Sequence, residues 1–268
     1  MRGGTEPLKK PLVTVDLNYL QQRPKHKEYL SNRYFWLWPY RIFEETADRP
    51  ERAYGDMQKL FRMYKLNAPR CAVAAHIHTL AEIEITGRRP IKSRDLVDLR
   101  RTKIVGMAVD ADDHEEFVEA VRDTSNRFVN TGHNTFWMLL KLSMSKHPVM
   151  LPKNKFMNSI DEDRDFCTDE RAWSYFLDVA KLVDKQIADD FPQFDSLHSG
   201  RSHLLAFAKC LLYIRLKLEQ IELRESDLND FDDCQYACYA SLTGSLATCD
   251  KGLKRMVNVC FPWTEIID

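Results

Sequence analysis

Near the C-terminal end of this 268-residue chain, Asp230-Phe-Asp-Asp233-Cys-Gln-Tyr-Ala-Cys-Tyr-Ala leads through Thr243-Gly244 into Leu246-Ala-Thr248-Cys-Asp250-Lys-Gly. The spacing reads as a helix, a turn and a short strand that bring several carboxylates to one edge of a sheet. At the other end, Leu12-Val-Thr-Val-Asp16-Leu-Asn18 closes a short apolar stretch on another aspartate. If the two ends converge, the chemistry is that of a divalent-cation site. Two carboxylates about 4 Å apart repel by roughly 4 kcal/mol at an effective dielectric near 20. Several of them share a site only when cations or protons offset that repulsion. All-oxygen ligation points to Mg²⁺ or Mn²⁺ rather than zinc, and such ions assist the hydrolysis of phosphodiesters. A plainer reading stands beside this one, because aspartates at strand ends and helix starts also cap and turn the chain.

These residues need a scaffold. Leu12 to Asp16 is rich in β-branched residues and nearly continuous in apolar character, as a buried parallel strand is. A polar helical stretch follows. Tyr34-Phe-Trp-Leu-Trp38 then predicts a second strand stopped by Pro39, with Ile42-Phe-Glu44-Glu45 in the turn or helix behind it. Arg52 to Leu66 has helical spacing. Cys71 to Ala75 is either a third strand or the start of a helix through His78, Leu80 and Ile83. The region from Asp110 to about Gln193 reads as helical, best over His114 to Phe128, Thr135 to Met144 and Asp169 to Ile187, with a loop from Lys146 to Asp165. Ser199 to Glu219 is the most apolar helix and is expected to lie buried against the sheet.

Strand and helix alternation at both ends, around a long helical middle, predicts an α/β fold. Residues 1–268 form one domain in this reading, with a mostly α-helical insertion over about 110–195. Ligands of parallel sheets gather beyond the carboxyl ends of the strands, where Asp16 and Asp250 would sit. Asp233, read as starting its helix, suits the positive end of the helix dipole. Asp230, one turn earlier, serves either as N-cap or as a further ligand.

Val13-Thr-Val-Asp16-Leu-Asn18-Tyr-Leu20 resembles the opening strand motif of the PIN-like nuclease superfamily. Asp233-Cys-Gln-Tyr-Ala237, followed by Gly244 and Leu246-Ala-Thr248-Cys-Asp250-Lys-Gly-Leu253, is similar to that family's closing module, and Asn229-Asp230-Phe-Asp-Asp233 to a variant in its larger bacterial members. The resemblance implies a Rossmann-like parallel sheet and an acidic Mg²⁺ or Mn²⁺ site that cleaves RNA, less often DNA. Asp16, Asp233 and Asp250 carry over as metal ligands, and Thr248 as a supporting hydroxyl. A glutamate after the second strand is also implied. Chain order favours Glu45, then Glu44, while Glu82 in Thr79-Leu-Ala-Glu82-Ile is a competitor.

The readings from another class are a catalytically silent PIN-like module that binds RNA or a protein, and a haloacid-dehalogenase-like phosphatase. The latter ranks low, because Asn18 stands where that chemistry needs a second aspartate. An antitoxin-like or effector partner and self-association into a homo-oligomer stay open.

With 39 Lys+Arg against 40 Asp+Glu, the chain has no global positive field for polyanions. A nucleic acid must therefore meet a local patch. The densest one is Arg88-Arg89, Lys92, Arg94, Arg100, Arg101 and Lys103, which is either ordinary exposed surface or a phosphate-contacting face. Trp36, Trp38, Tyr40 and Phe43 either pack in the core or stack bases. Seven scattered cysteines provide no disulfide framework and are expected as free thiols of a reducing cytosol, with Cys234 and Cys238 packing on one helix face. His76-x-His78 is expected on a helix or strand surface, and Asp110 to Glu116 as a solvated helix start. The N-terminal residues lack the apolar core of a signal peptide, and no stretch is long and apolar enough for a membrane span, so a cytoplasmic protein is expected. Phosphate-loop, dinucleotide-turn and nucleophile-elbow motifs are missing from the sequence.

Overall fold

A computed structural model of the chain describes residues 10–22, 32–39, 41–43, 62–63, 65, 70–110, 115, 119, 167–197, 200–218 and 229–268. The elements in chain order are β1 (Leu12–Val15), α1 (Leu17–Gln22), β2 (Phe35–Trp38), β3 (Cys71–Val73), α2 (Ile77–Ile85), α3 (Leu99–Asp110), α4 (Asp169–Val183) and α5 (Lys185–Asp189). They continue with α6 (His203–Leu218), α7 (Asn229–Thr243), β4 (Ser245–Ala247), α8 (Lys251–Cys260) and β5 (Glu265–Ile267).

The five strands form one sheet in the order β3-β2-β1-β4-β5, and every pairing is parallel. From β1 the chain builds outward through β2 to β3, then crosses back to the other side of β1 for β4 and β5. Its direction of growth therefore reverses between β1 and β4, which makes a topological switch point. The architecture is α/β, a parallel sheet flanked by helices, consistent with a Rossmann-like arrangement.

Strand alternation explains the two layers. Val13, Val15, Trp36 and Trp38 enter the main core, whereas Leu12 and Leu37 join Leu80 of α2 and Tyr239 of α7 in a second cluster. Trp36, Trp38 and Phe43 are fully buried. Their role is packing, which corrects the alternative that they stack bases; Tyr40 lies outside the described residues. The apolar helix α6 is buried as expected, but its main packing partners are the helices α2, α4, α7 and α8 rather than the sheet. Burying its apolar side chains stabilises the fold by about 1.5–3 kcal/mol for each large one.

The cysteines are unpaired thiols, and all but Cys249 are buried. Cys210 of α6 contacts Cys234 and Cys238 of α7 and Cys260 of α8, and burial pushes the Cys234 thiol up to about 11. Such thiols pack as small apolar groups. Cys71–Val73 is a strand, and the helix begins only at Ile77. The helix predicted over Asp169 to Ile187 is two, because Asp184 adopts an extended conformation between α4 and α5. The predicted helices over His114 to Phe128 and Thr135 to Met144 and the loop from Lys146 to Asp165 lie outside the described residues, apart from the helical positions Glu115 and Glu119. So does nearly all of Arg52 to Leu66. Strand β5 carries no sequence signal strong enough to predict it, being three residues long.

Candidate functional site at the switch point

Parallel register places the site. Thr14 pairs with Leu246 and Val15 with Ala247, so Asp16 and Thr248 emerge side by side from adjacent strands. The Asp16 backbone N–H donates to the Ala247 carbonyl at 3.0 Å, which extends the ladder to the aspartate itself. The Thr248 hydroxyl donates to Asp16 Oδ2 at 2.6 Å across 232 residues of sequence. The same Thr248 oxygen accepts the backbone N–H of Asp250 at 3.0 Å. Asp250 is the N-cap of α8, and its Oδ1 accepts the Leu253 N–H at 2.9 Å. One hydroxyl thus ties the end of β1 to the start of α8.

Asp16 is 3% exposed. Burial raises its pKa, and the negative field of Asp250 adds to that effect, although the hydrogen bonds from Thr248, Asn18 and Leu17 pull the other way. No lysine, arginine or histidine pairs with Asp16 or Asp250 among the described residues. Two neighbouring carboxylates without a countercharge are an electrostatic deficit that a cation relieves. The donor set is oxygen only, which suits a hard divalent ion rather than zinc. Among the described residues, no three His, Cys, Asp or Glu side chains are gathered into a metal-holding group.

The remaining acidic candidates fall as follows. Asp233 is half-buried and lies one turn inside α7, which begins at Asn229; it does not start the helix as its spacing suggested. It is not gathered with Asp16 and Asp250 into one acidic group among the described residues. Asp230 is in the first turn of α7 and not flanking it, so it is not the N-cap, and its side chain lies outside the described residues. Glu44 and Glu45 also lie outside them. Glu82 is exposed in the middle of α2, behind the edge strand β3, which β2 separates from β1.

The carboxylate of α2 that the structure does engage is Glu84. It is buried, and its Oε2 accepts the Leu204 N–H at 2.8 Å at the start of α6. Burial raises its pKa to about 7 against hydrogen bonds from Leu204, Ser202 and His203 that lower it. Its position on the apolar face of α2, beside Leu80 and Ala81, was the available sequence signal. His76 is not on a surface. It is buried as the N-cap of α2, its Nδ1 accepting the His78 N–H at 3.3 Å. His203 beside them is fully enclosed, and burial drives its pKa down to about 3.

The basic patch divides in two. Arg89 grips Asp95 through both oxygens, at 2.6 and 3.0 Å, and holds that carboxyl below the usual range. Arg101 pairs with Asp98 at 3.3 Å with little of its side chain exposed. Both are committed to internal structure. Arg88 and Arg100 are exposed, the former in the left-handed region at φ 45°. No helix of the described residues is long and apolar enough to cross a membrane.

No family model matches the chain, and no curated protein or solved structure matches it either.

Proposed function

We propose that the chain is a PIN-like, divalent-metal-dependent endonuclease acting on RNA. The observation that carries the reading is the Asp16–Thr248–Asp250 unit beyond β1 and β4, in which the Thr248 hydroxyl bonds the Asp16 carboxylate and the Asp250 backbone N–H, and neither carboxylate has a countercharge among the described residues. Asp16 and Asp250 would hold Mg²⁺ or Mn²⁺ and a glutamate at 44 or 45 would complete the shell, while Asp233 on α7 is not gathered with that pair. When bound, the cation supplies Lewis acidity toward a phosphodiester and a nucleophilic water at neutral pH.

The chain's own residues supply the rest. Thr248 orients the Asp16 carboxylate by donating to Oδ2, which leaves the other oxygen directed by the Asn18 N–H at 3.3 Å. The Asp250 cap fixes its Oδ1 and with it the start of α8. Burial of Asp16 keeps bulk water from screening it, so its charge acts strongly on whatever it faces. Arg88 and Arg100, with Lys92, Arg94 and Lys103 of the same stretch, are exposed cations that would meet phosphates.

Incubation of single-stranded RNA with Mn²⁺ tests the reading. The wild-type protein is expected to cleave, Asp16→Asn and Asp250→Asn to lose at least about a hundredfold in rate, and chelator to abolish cleavage, with thermal unfolding of both variants still cooperative. Undiminished cleavage by both variants refutes the assignment. A wild-type protein that neither cleaves nor binds Mn²⁺ saturably identifies the silent binding module instead.

A further inference from the structure

The opposite edge of the sheet carries a second opening. A cleft of about 360 Å³ lies where the turn at Gly200-Arg201, the end of α7 at Ser241 to Gly244, and Trp263 ahead of β5 meet. Ser245 and Glu265 begin their strands beside it, so it is separated from Asp16 by the length of the sheet. Gly200 and Gly244 adopt φ of 72° and 78°, which lets the chain turn sharply at both rims.

Trp263 forms the wall, and it is held from behind. Its ring packs edge-on against buried Phe261 at 5.7 Å and 66°. The buried Lys209 ammonium lies over it at 5.3 Å and is itself paired with Asp169 at 2.9 Å. The indole is nevertheless 47% exposed. A rigid aromatic surface that is fixed on its inner side and open to solvent on its outer side is a stacking platform. Across the cleft, Arg201 is anchored through its carbonyl, which accepts the Ile91 N–H at 3.0 Å, while its exposed guanidinium has no partner among the described residues. Among the described residues, no carboxylate lines the cleft.

These features select a ligand class. A cation is disfavoured, since Lys209 already occupies the ring's inner side and Arg201 stands on the rim. A purely apolar group leaves the guanidinium unanswered. The volume lies at the small end of ligand pockets, about 300–1,000 Å³. We propose that this cleft binds a nucleotide, its base stacked on Trp263 and its phosphate held by Arg201, either free or within a single strand. The inference is independent of the reading of the Asp16 site.

Calorimetry on the full chain in chelator, which prevents metal-dependent cleavage, tests it with AMP, adenosine, ribose 5-phosphate and a tetra-adenylate. AMP is expected to bind saturably and both fragments about tenfold or more weaker, since each lacks one contact. Trp263→Ala and Arg201→Glu should each weaken AMP about tenfold or more, and Asp16→Asn should leave it unchanged. Tighter binding of the tetra-adenylate than of AMP assigns the source to a strand, and equal binding to the free nucleotide. Absence of saturable AMP binding, wild-type affinity in Arg201→Glu, or loss of binding in Asp16→Asn overturns the proposal. Should Trp263→Ala unfold through the lost contact to Lys209, the rim variant Arg201→Glu decides alone.

Discussion

Replacing Glu84 by glutamine should change how the protein's stability depends on pH. Glu84 is 4% exposed and accepts the Leu204 N–H at 2.8 Å, so it caps α6 from the neighbouring helix α2. Burial raises its pKa from 4.5 to about 7. The folded value lies above the unfolded one, so the folded state binds the proton more tightly. The resulting stabilisation is fully present below about pH 4.5 and is lost as the pH rises through about 7. That separation corresponds to about 3 kcal/mol at about 1.4 kcal/mol per pH unit. Glutamine keeps an acceptor for the Leu204 N–H but does not titrate. Urea unfolding at about pH 4.5, 6 and 8 measures the difference between wild type and Glu84→Gln, and contributions common to both, such as that of Asp16, cancel. The wild type should lose about 3 kcal/mol relative to the variant over this range. Parallel profiles, within about 0.5 kcal/mol, would show that burial does not govern this carboxyl and refute the reasoning.

Other residues make separate claims. Thr248→Val removes both the donor to Asp16 and the acceptor for the Asp250 N–H, so urea unfolding should show a loss of about 2–3 kcal/mol. The loss should shrink in an Asp16→Asn background, where no buried charge is left unanswered; equal losses in both backgrounds would contradict the coupling. For the basic face, Arg88→Asn with Arg100→Gln should lower the salt slope of RNA binding by about 1.4, as expected for two single-strand phosphate contacts. Arg89→Gln should instead lower the melting temperature, because Arg89 is bound to Asp95. An unchanged slope in the double variant would remove these arginines from the interface.

Sequence patterning alone determined the elements whose side chains speak for themselves. Leu12–Val15 and Phe35–Trp38 read as strands because continuous β-branched and aromatic runs bounded by Asp16 and Pro39 have no better use than a buried parallel strand. The apolar segment at 203–218 read as a buried helix for a similar reason, and Thr243-Gly244 read as a turn because glycine tolerates the left-handed conformation observed there. The placement of Asp16 and Asp250 just beyond β1 and β4 was also legible, as aspartates that end apolar runs.

Tertiary structure decided what those residues meet. Periodicity reports which face of an element is buried, but not which distant segment covers it. Only the parallel register of β1 and β4 brings Thr248 within 2.6 Å of Asp16. Pairing likewise withdrew Arg89 and Arg101 from a basic patch that looked uniform as a list of charges, and it made Glu84, not Glu82, the engaged carboxylate of α2. The exposed ring of Trp263 acquires meaning only from Lys209 behind it and Arg201 across from it. The physical reason is common to all of these cases. Desolvation, ion pairing and hydrogen bonding act over a few ångströms, and residues far apart in the chain come that close only through the fold.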